Sequence, residues 1–99
     1  MKRGFVLRRI AAQEFDDSIA WYENQREGLG REFRAVVEES FQRIADNPER
    51  FPKVRSEVRR AVILRRFPFV IHFVIEAKRI VILSVFHTSR DPGQLKYRR

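Results

Sequence analysis

The sequence predicts an α+β fold: an antiparallel helical hairpin packed on one face of an antiparallel sheet. Three observations carry that expectation. Apolar residues recur at three- and four-residue spacing over 11–46, three β-branched and aromatic runs follow after residue 57, and the links between these segments are short. Ninety-nine residues suffice for one core and not for two, so 1–99 is expected to be a single domain.

Phe5, Val6 and Leu7, followed by Arg8 and Arg9, read as a short first strand that joins the sheet. Its place there, edge or middle, is not legible. From Ala11 the period changes: Ala12, Phe15, Ile19 and Tyr22 stack on one helical face. Glu14, Asp16 and Asp17 fall in the early turns as counted from Ala11, where negative charge suits the helix dipole. Trp21 lies off the stripe, as a core-edge residue or a partner contact.

Gly28-Leu29-Gly30 breaks this helix and opens a second, whose stripe is Leu29, Phe33, Val36, Val37, Phe41 and Ile44. Asp46-Asn47-Pro48 ends it, with Asn47 suited to a left-handed cap and Pro48 unable to continue. Phe51-Pro52 is expected in a connecting loop. Runs at 58–64, 69–75 and 80–86 form a three-stranded meander, punctuated by Phe67-Pro68 and by a tight turn at Ala77-Lys78. Ala61-Val62-Ile63-Leu64 and Ile80-Val81-Ile82-Leu83 are apolar on both faces. One face meets the helices; the other is covered either within the chain or by a partner, and a partner is the preferred cover.

Twenty-one Lys and Arg against 13 Asp and Glu give a formal charge of +8, unevenly spread. Residues 1–9 carry +4, residues 10–49 carry −6 and residues 50–99 carry +10. The basic second half suits an anionic partner, although bases also blunt sheet edges. Arg59-Arg60 and Arg65-Arg66 bracket one strand run, and Arg90 follows the last. Successive strand residues point to opposite faces, so each pair offers one guanidinium to a given surface. Arg60, Arg65, Arg66 and Arg90, with His87, are the candidate contacts for a partner or target of acidic character.

The absence of cysteine excludes disulfides, zinc ribbons and thiol catalysis. No carboxylate or histidine set has metal-ligand spacing, so no metal site and no cofactor are expected. No hydroxyl stands in a nucleophile elbow, and Gly28-Leu29-Gly30 lacks the strand a phosphate loop needs. The absence of a membrane span or signal core makes a cytoplasmic location the expectation. His87, at the end of the last strand run, can act as general acid or base, or hydrogen-bond the turn backbone; the second reading is preferred. His72, between apolar neighbours, reads as structural or partner-facing. A plain nucleic-acid-binding module would need exposed aromatics among the bases, whereas Phe67, Phe69, Phe73 and Phe86 sit in runs that read as core.

A series of motifs in fixed order resembles the RelE/ParE superfamily of type II toxins. It comprises Ala20-Trp21-Tyr22, Gly28-Leu29-Gly30 with Phe33, Asn47-Pro48, Phe51-Pro52, Arg66-Phe67-Pro68-Phe69 and Val85-Phe86-His87-Thr88-Ser89-Arg90-Asp91-Pro92. The resemblance implies a toxin neutralised by a cognate antitoxin in a hetero-oligomer, the antitoxin wrapping toxin surface. RelE-like members cleave messenger RNA on the ribosome; in that case Arg65, His87 and Tyr97 would be the catalytic candidates. ParE-like members inhibit DNA gyrase without established catalytic residues. The motifs lie closer to the ParE-like, plasmid-stabilisation pattern, since only Lys53, Lys78 and Lys96 follow residue 50 where RelE-like chains are lysine-dense. Where the family's tail often has a tryptophan, this chain reads Gln94-Leu95-Lys96-Tyr97.

Overall fold

A computed structural model describes residues 4–63 and 66–88. The elements are β1 (Gly4–Leu7), α1 (Arg9–Gln25), α2 (Leu29–Asp46), a 3-10 turn (Pro48–Arg50), β2 (Lys53–Arg55), β3 (Val58–Ile63), β4 (Phe69–Ile75) and β5 (Arg79–His87). The fold is α+β, two helices on a five-stranded sheet of order β1-β5-β4-β3-β2. β1 lies at an edge, parallel to β5, while the other pairs are antiparallel. The helical hairpin carries the chain from β1 to β2 at the opposite edge, and the antiparallel run β2 to β5 brings it back to lie beside β1.

Three local expectations are corrected. α1 starts at Arg9, two residues before Ala11, so its first turn holds no acid and Glu14 sits a turn deeper. Asn47 ends α2 with φ −152°, outside the left-handed region, and its N–H donates to the Arg43 carbonyl at 3.3 Å. The meander has four strands, because Lys53–Arg55 pairs with β3 where a loop was expected. Three residues are too few for an alternating pattern to be visible in sequence. The turn at Ala77-Lys78 is as expected, closed by Glu76 N–H donating to the Arg79 carbonyl at 2.9 Å.

The register sorts the strands into two faces. Ala61, Ile71 and Val85 align on the helix side, as do Ile63, Phe69 and His87, while Phe5 and Leu7 extend that face onto β1. Phe15, Phe33, Val37, Phe41 and Ile44 from the helices close over them, all buried. The rings meet edge-on, Phe15 with Phe41 at 5.7 Å and Phe33 with Phe69 at 5.7 Å, which suits their quadrupoles. Phe67, Phe69 and Phe73 are core as expected; Phe86 is buried but lies on the opposite face, aligned with Val70.

Gly28 turns the hairpin with φ +87°, a left-handed conformation that costs glycine little. Gly30 brings the helices together: a Cβ there would lie 2.6 Å from the Ile19 carbonyl oxygen. Glu23 does the capping that Gly28 lacks a side chain for, accepting from Gly28 N–H at 2.8 Å and Gly30 N–H at 2.9 Å. Those two bonds hold the Glu23 carboxyl below its ordinary pKa.

Candidate functional site

Two regions hold the residues that sequence reasoning singled out. The first is at the C-terminal end of β5. His87 is 4% exposed, and its Nε2 shares a hydrogen bond with the Tyr22 hydroxyl. The ring sits among Tyr22 at 4.8 Å, Trp21 at 5.7 Å and Phe33 at 6.1 Å. Helical spacing explains the arrangement: Trp21 and Tyr22 end α1 beside the start of α2, where Phe33 projects inward. Trp21 is thus a half-buried core-edge residue. Burial pushes the Tyr22 phenol up to about 12, so it stays protonated at neutral pH.

Phe67 packs on Tyr22 at 4.9 Å and on Phe33 at 5.5 Å, walling the cluster off. Arg66 lies outside that wall, its guanidinium 5.1 Å above the Phe67 ring and paired with Glu32. Glu32 also takes Arg26 at 3.8 Å, so the partly exposed carboxylate holds two cations. The tertiary structure therefore brings His87 and Arg66 to one end of the molecule with an aromatic ring between them. Arg65, Arg90 and Tyr97 lie outside the described residues.

The second region is the sheet face away from the helices. Arg60, His72 and Ser84 align across β3, β4 and β5, with His72 Nδ1 and Ser84 Oγ hydrogen-bonded at 3.0 Å. Val62, Val70 and Phe86 form the row on one side, and Val74, Val81 and Val6 the row on the other. A bulge at Leu83 between these rows shifts the β5 register. Val62 and Val6 are 48% and 40% exposed, while Val70, Val81 and Phe86 are buried. Burial, then the neighbouring Arg60 cation, lowers the His72 pKa, so the imidazole is neutral at physiological pH. Arg59 points the other way, donating to the Glu49 and Phe51 carbonyls at 3.1 and 2.6 Å. It is a structural arginine; Arg60 is the one presented outward, as strand alternation requires.

This face holds a neutral imidazole bonded to a buried serine, beside one exposed guanidinium and among valines. Among the described residues no cluster of three or more His, Asp or Glu groups could hold a metal ion, and no helix is long and apolar enough to cross a membrane.

Two residues that organise these regions have little sequence signal. Glu14 Oε1 accepts from Val85 N–H at 3.0 Å, pinning α1 to β5 just past the bulge. Nothing local marks it, for its partner is 71 residues away. Glu23 could have been found from its position five and seven residues before two glycines.

The family model for the ParE toxin of the type II toxin-antitoxin system, parDE, matches residues 5–92. A solved structure described as the chromosomal ParDE TA system from P. aeruginosa is similar, with a TM-score of 0.74 and 20% identity, over 87% of this chain and 96% of that one. At that identity the likeness speaks for the fold. No curated protein matches the sequence.

Proposed function

The chain belongs to the ParE toxin family of type II toxin-antitoxin systems, and from that premise we propose that it acts by binding, inhibiting DNA gyrase and being neutralised by a cognate antitoxin. The observation that carries this reading over ribosome-dependent RNA cleavage is the burial of His87 at 4% exposure. A general acid or base must come within hydrogen-bond reach of the group it serves, about 2.6–3.2 Å. Here the imidazole is bonded to Tyr22 and enclosed by Trp21, Phe33 and Phe67. Its chemistry is spent on the core.

The antitoxin contact we assign to the far sheet face. Exposed Val62 and Val6 supply apolar area, and Arg60 supplies a charge that an acidic partner would meet. The resulting toxin is a cytoplasmic member of a hetero-oligomer. The +10 of residues 50–99, to which Arg65, Arg66 and Arg90 contribute, supports an acidic partner in this reading.

The test is supercoiling of relaxed plasmid by gyrase in the presence of the purified protein. Supercoiling is expected to fall, while ribosome-bound message stays intact. Cleavage of that message at A-site codons would overturn the reading.

A further inference from the structure

A groove of about 450 Å³ opens at the β1 edge of the sheet, between the strand and α2. Phe5, Phe15 and Phe41 make its apolar floor, with Phe41 5.2 Å from Phe5 and 5.7 Å from Phe15. Glu38 and Glu39 stand on the α2 side, and among the described residues no base lines the groove. Glu38 pairs with exposed Arg34 at 3.2 Å, while Glu39 makes no ion pair among the described residues. The groove sits in the acidic stretch of the chain, residues 10–49 carrying −6 in a protein of +8.

Among the described residues β1 has a strand on one side only. On its outer side the described residues supply no strand, which is the geometry of β-augmentation. Side chains of an added strand would alternate between faces. Those on the helix side would fall next to Phe5 and Leu7, over the groove; those on the other side would flank Val6.

We propose that this groove receives an extended basic segment of a partner polypeptide, added as a strand along β1, with an apolar side chain on Phe5 and Phe41 and a Lys or Arg at Glu38 and Glu39. The inference goes beyond antitoxin recognition at Arg60, which lies on the opposite face and calls for an acidic partner. A second copy of this chain is the poorer occupant. Two-fold pairing of β1 with its own copy would set one pair of carboxylates against the other, and like charges repel across such a contact.

The experiment titrates the full-length, ¹⁵N-labelled protein with three short synthetic peptides. One alternates lysine with valine and phenylalanine, one is the same with a central proline, and one has glutamate for lysine. The lysine peptide is expected to shift amides at 4–7 and 38–42, and the other two to leave them in place. In Glu38→Gln/Glu39→Gln, whose fold is checked by circular dichroism, its affinity is expected to fall by roughly three- to tenfold, the worth of two exposed ion pairs. Absent shifts at those positions, equal binding of the glutamate peptide, or unchanged affinity in the double variant would overturn the proposal. Concentration-dependent shifts at 4–7 without peptide would overturn it too, in favour of a second copy.

Discussion

The Tyr22 hydroxyl and His87 Nε2, 65 residues apart in sequence, share a hydrogen bond inside the aromatic cluster that joins α1, α2 and β5. With the Glu14 to Val85 bond, this contact ties the hairpin to β5. It also takes the histidine out of consideration as an exposed acid or base.

Tyr22→Phe keeps the ring and removes the hydroxyl. The variant is expected to lose about 1 kcal/mol of stability, the usual net worth of such a bond, measured by urea unfolding at neutral pH. It should retain gyrase inhibition. The wild-type phenol, raised to about 12 in the fold against an ordinary 10.0, adds a pH signature. A raised folded value means stability is intact below about pH 10 and declines as pH rises toward 12. In Tyr22→Phe that part of the alkaline decline should disappear. An identical pH dependence in both proteins would remove Tyr22 as its source.

Glu23 predicts the opposite pH window. Its folded pKa is depressed by the Gly28 and Gly30 N–H groups, so its contribution is present above the ordinary carboxyl value of 4.5 and fades as pH falls through the lower folded one. Glu23→Ala should therefore melt earlier than wild type at pH 7, and the gap should close in strong acid. Melting curves at both pH values check this, with a gap independent of pH as the contrary result.

Gly30→Ala sets two effects against each other. Alanine is favoured over glycine in a helix by up to about 1 kcal/mol, and by less in the first turn where Gly30 sits. Its Cβ, however, would approach the Ile19 carbonyl oxygen to 2.6 Å and Glu23 Oε1 to 2.9 Å. The carbonyl belongs to a helix backbone and can yield only if the hairpin opens. The clash is expected to win, with a net loss of about 1–3 kcal/mol in chemical denaturation.

Glu14→Ala removes the acceptor for Val85 N–H. A loss of about 1–3 kcal/mol is expected. Glu14→Gln keeps a side-chain oxygen at the same reach and should lose less. Hydrogen exchange at the Val85 amide reads the contact directly: faster exchange in Glu14→Ala, near wild type in Glu14→Gln.

Arg60→Glu and Arg34→Glu separate the two faces. Arg60 stands beside His72 on the face assigned to the antitoxin, whereas Arg34 is exposed on α2 and paired with Glu38. Reversal at Arg60 should slow antitoxin association and flatten its salt dependence. Reversal at Arg34 should leave association nearly unchanged. Stopped-flow rates at two salt concentrations decide, and equal small effects would mean the charge asymmetry is merely a solvated face.

Local periodicity made most of the fold readable. The stripes Phe15–Ile19–Tyr22 and Phe33–Val37–Phe41 marked both helices because burying one face at 3.6 residues per turn leaves a repeating trace. The β3, β4 and β5 runs were evident from β-branched and aromatic density. β2 was not, since Lys53, Val54 and Arg55 are all exposed and leave no apolar trace. The candidate site was less legible. Arg60 and His72 were named separately, and only the register set them side by side with Ser84.

What the sequence by itself determined was the set of elements other than β2, their order, the charge asymmetry and the family resemblance. Each of these rests on residues near one another in the chain or on simple counts. Only the tertiary structure decided that β1 lies parallel to β5 at an edge, that His87 is buried against Tyr22, and that Glu14 anchors α1 to Val85. The physical reason is separation along the chain. Partners 65 and 71 residues apart obey no local period, and they meet only because burying both helical stripes and one sheet face together leaves them the same place to go.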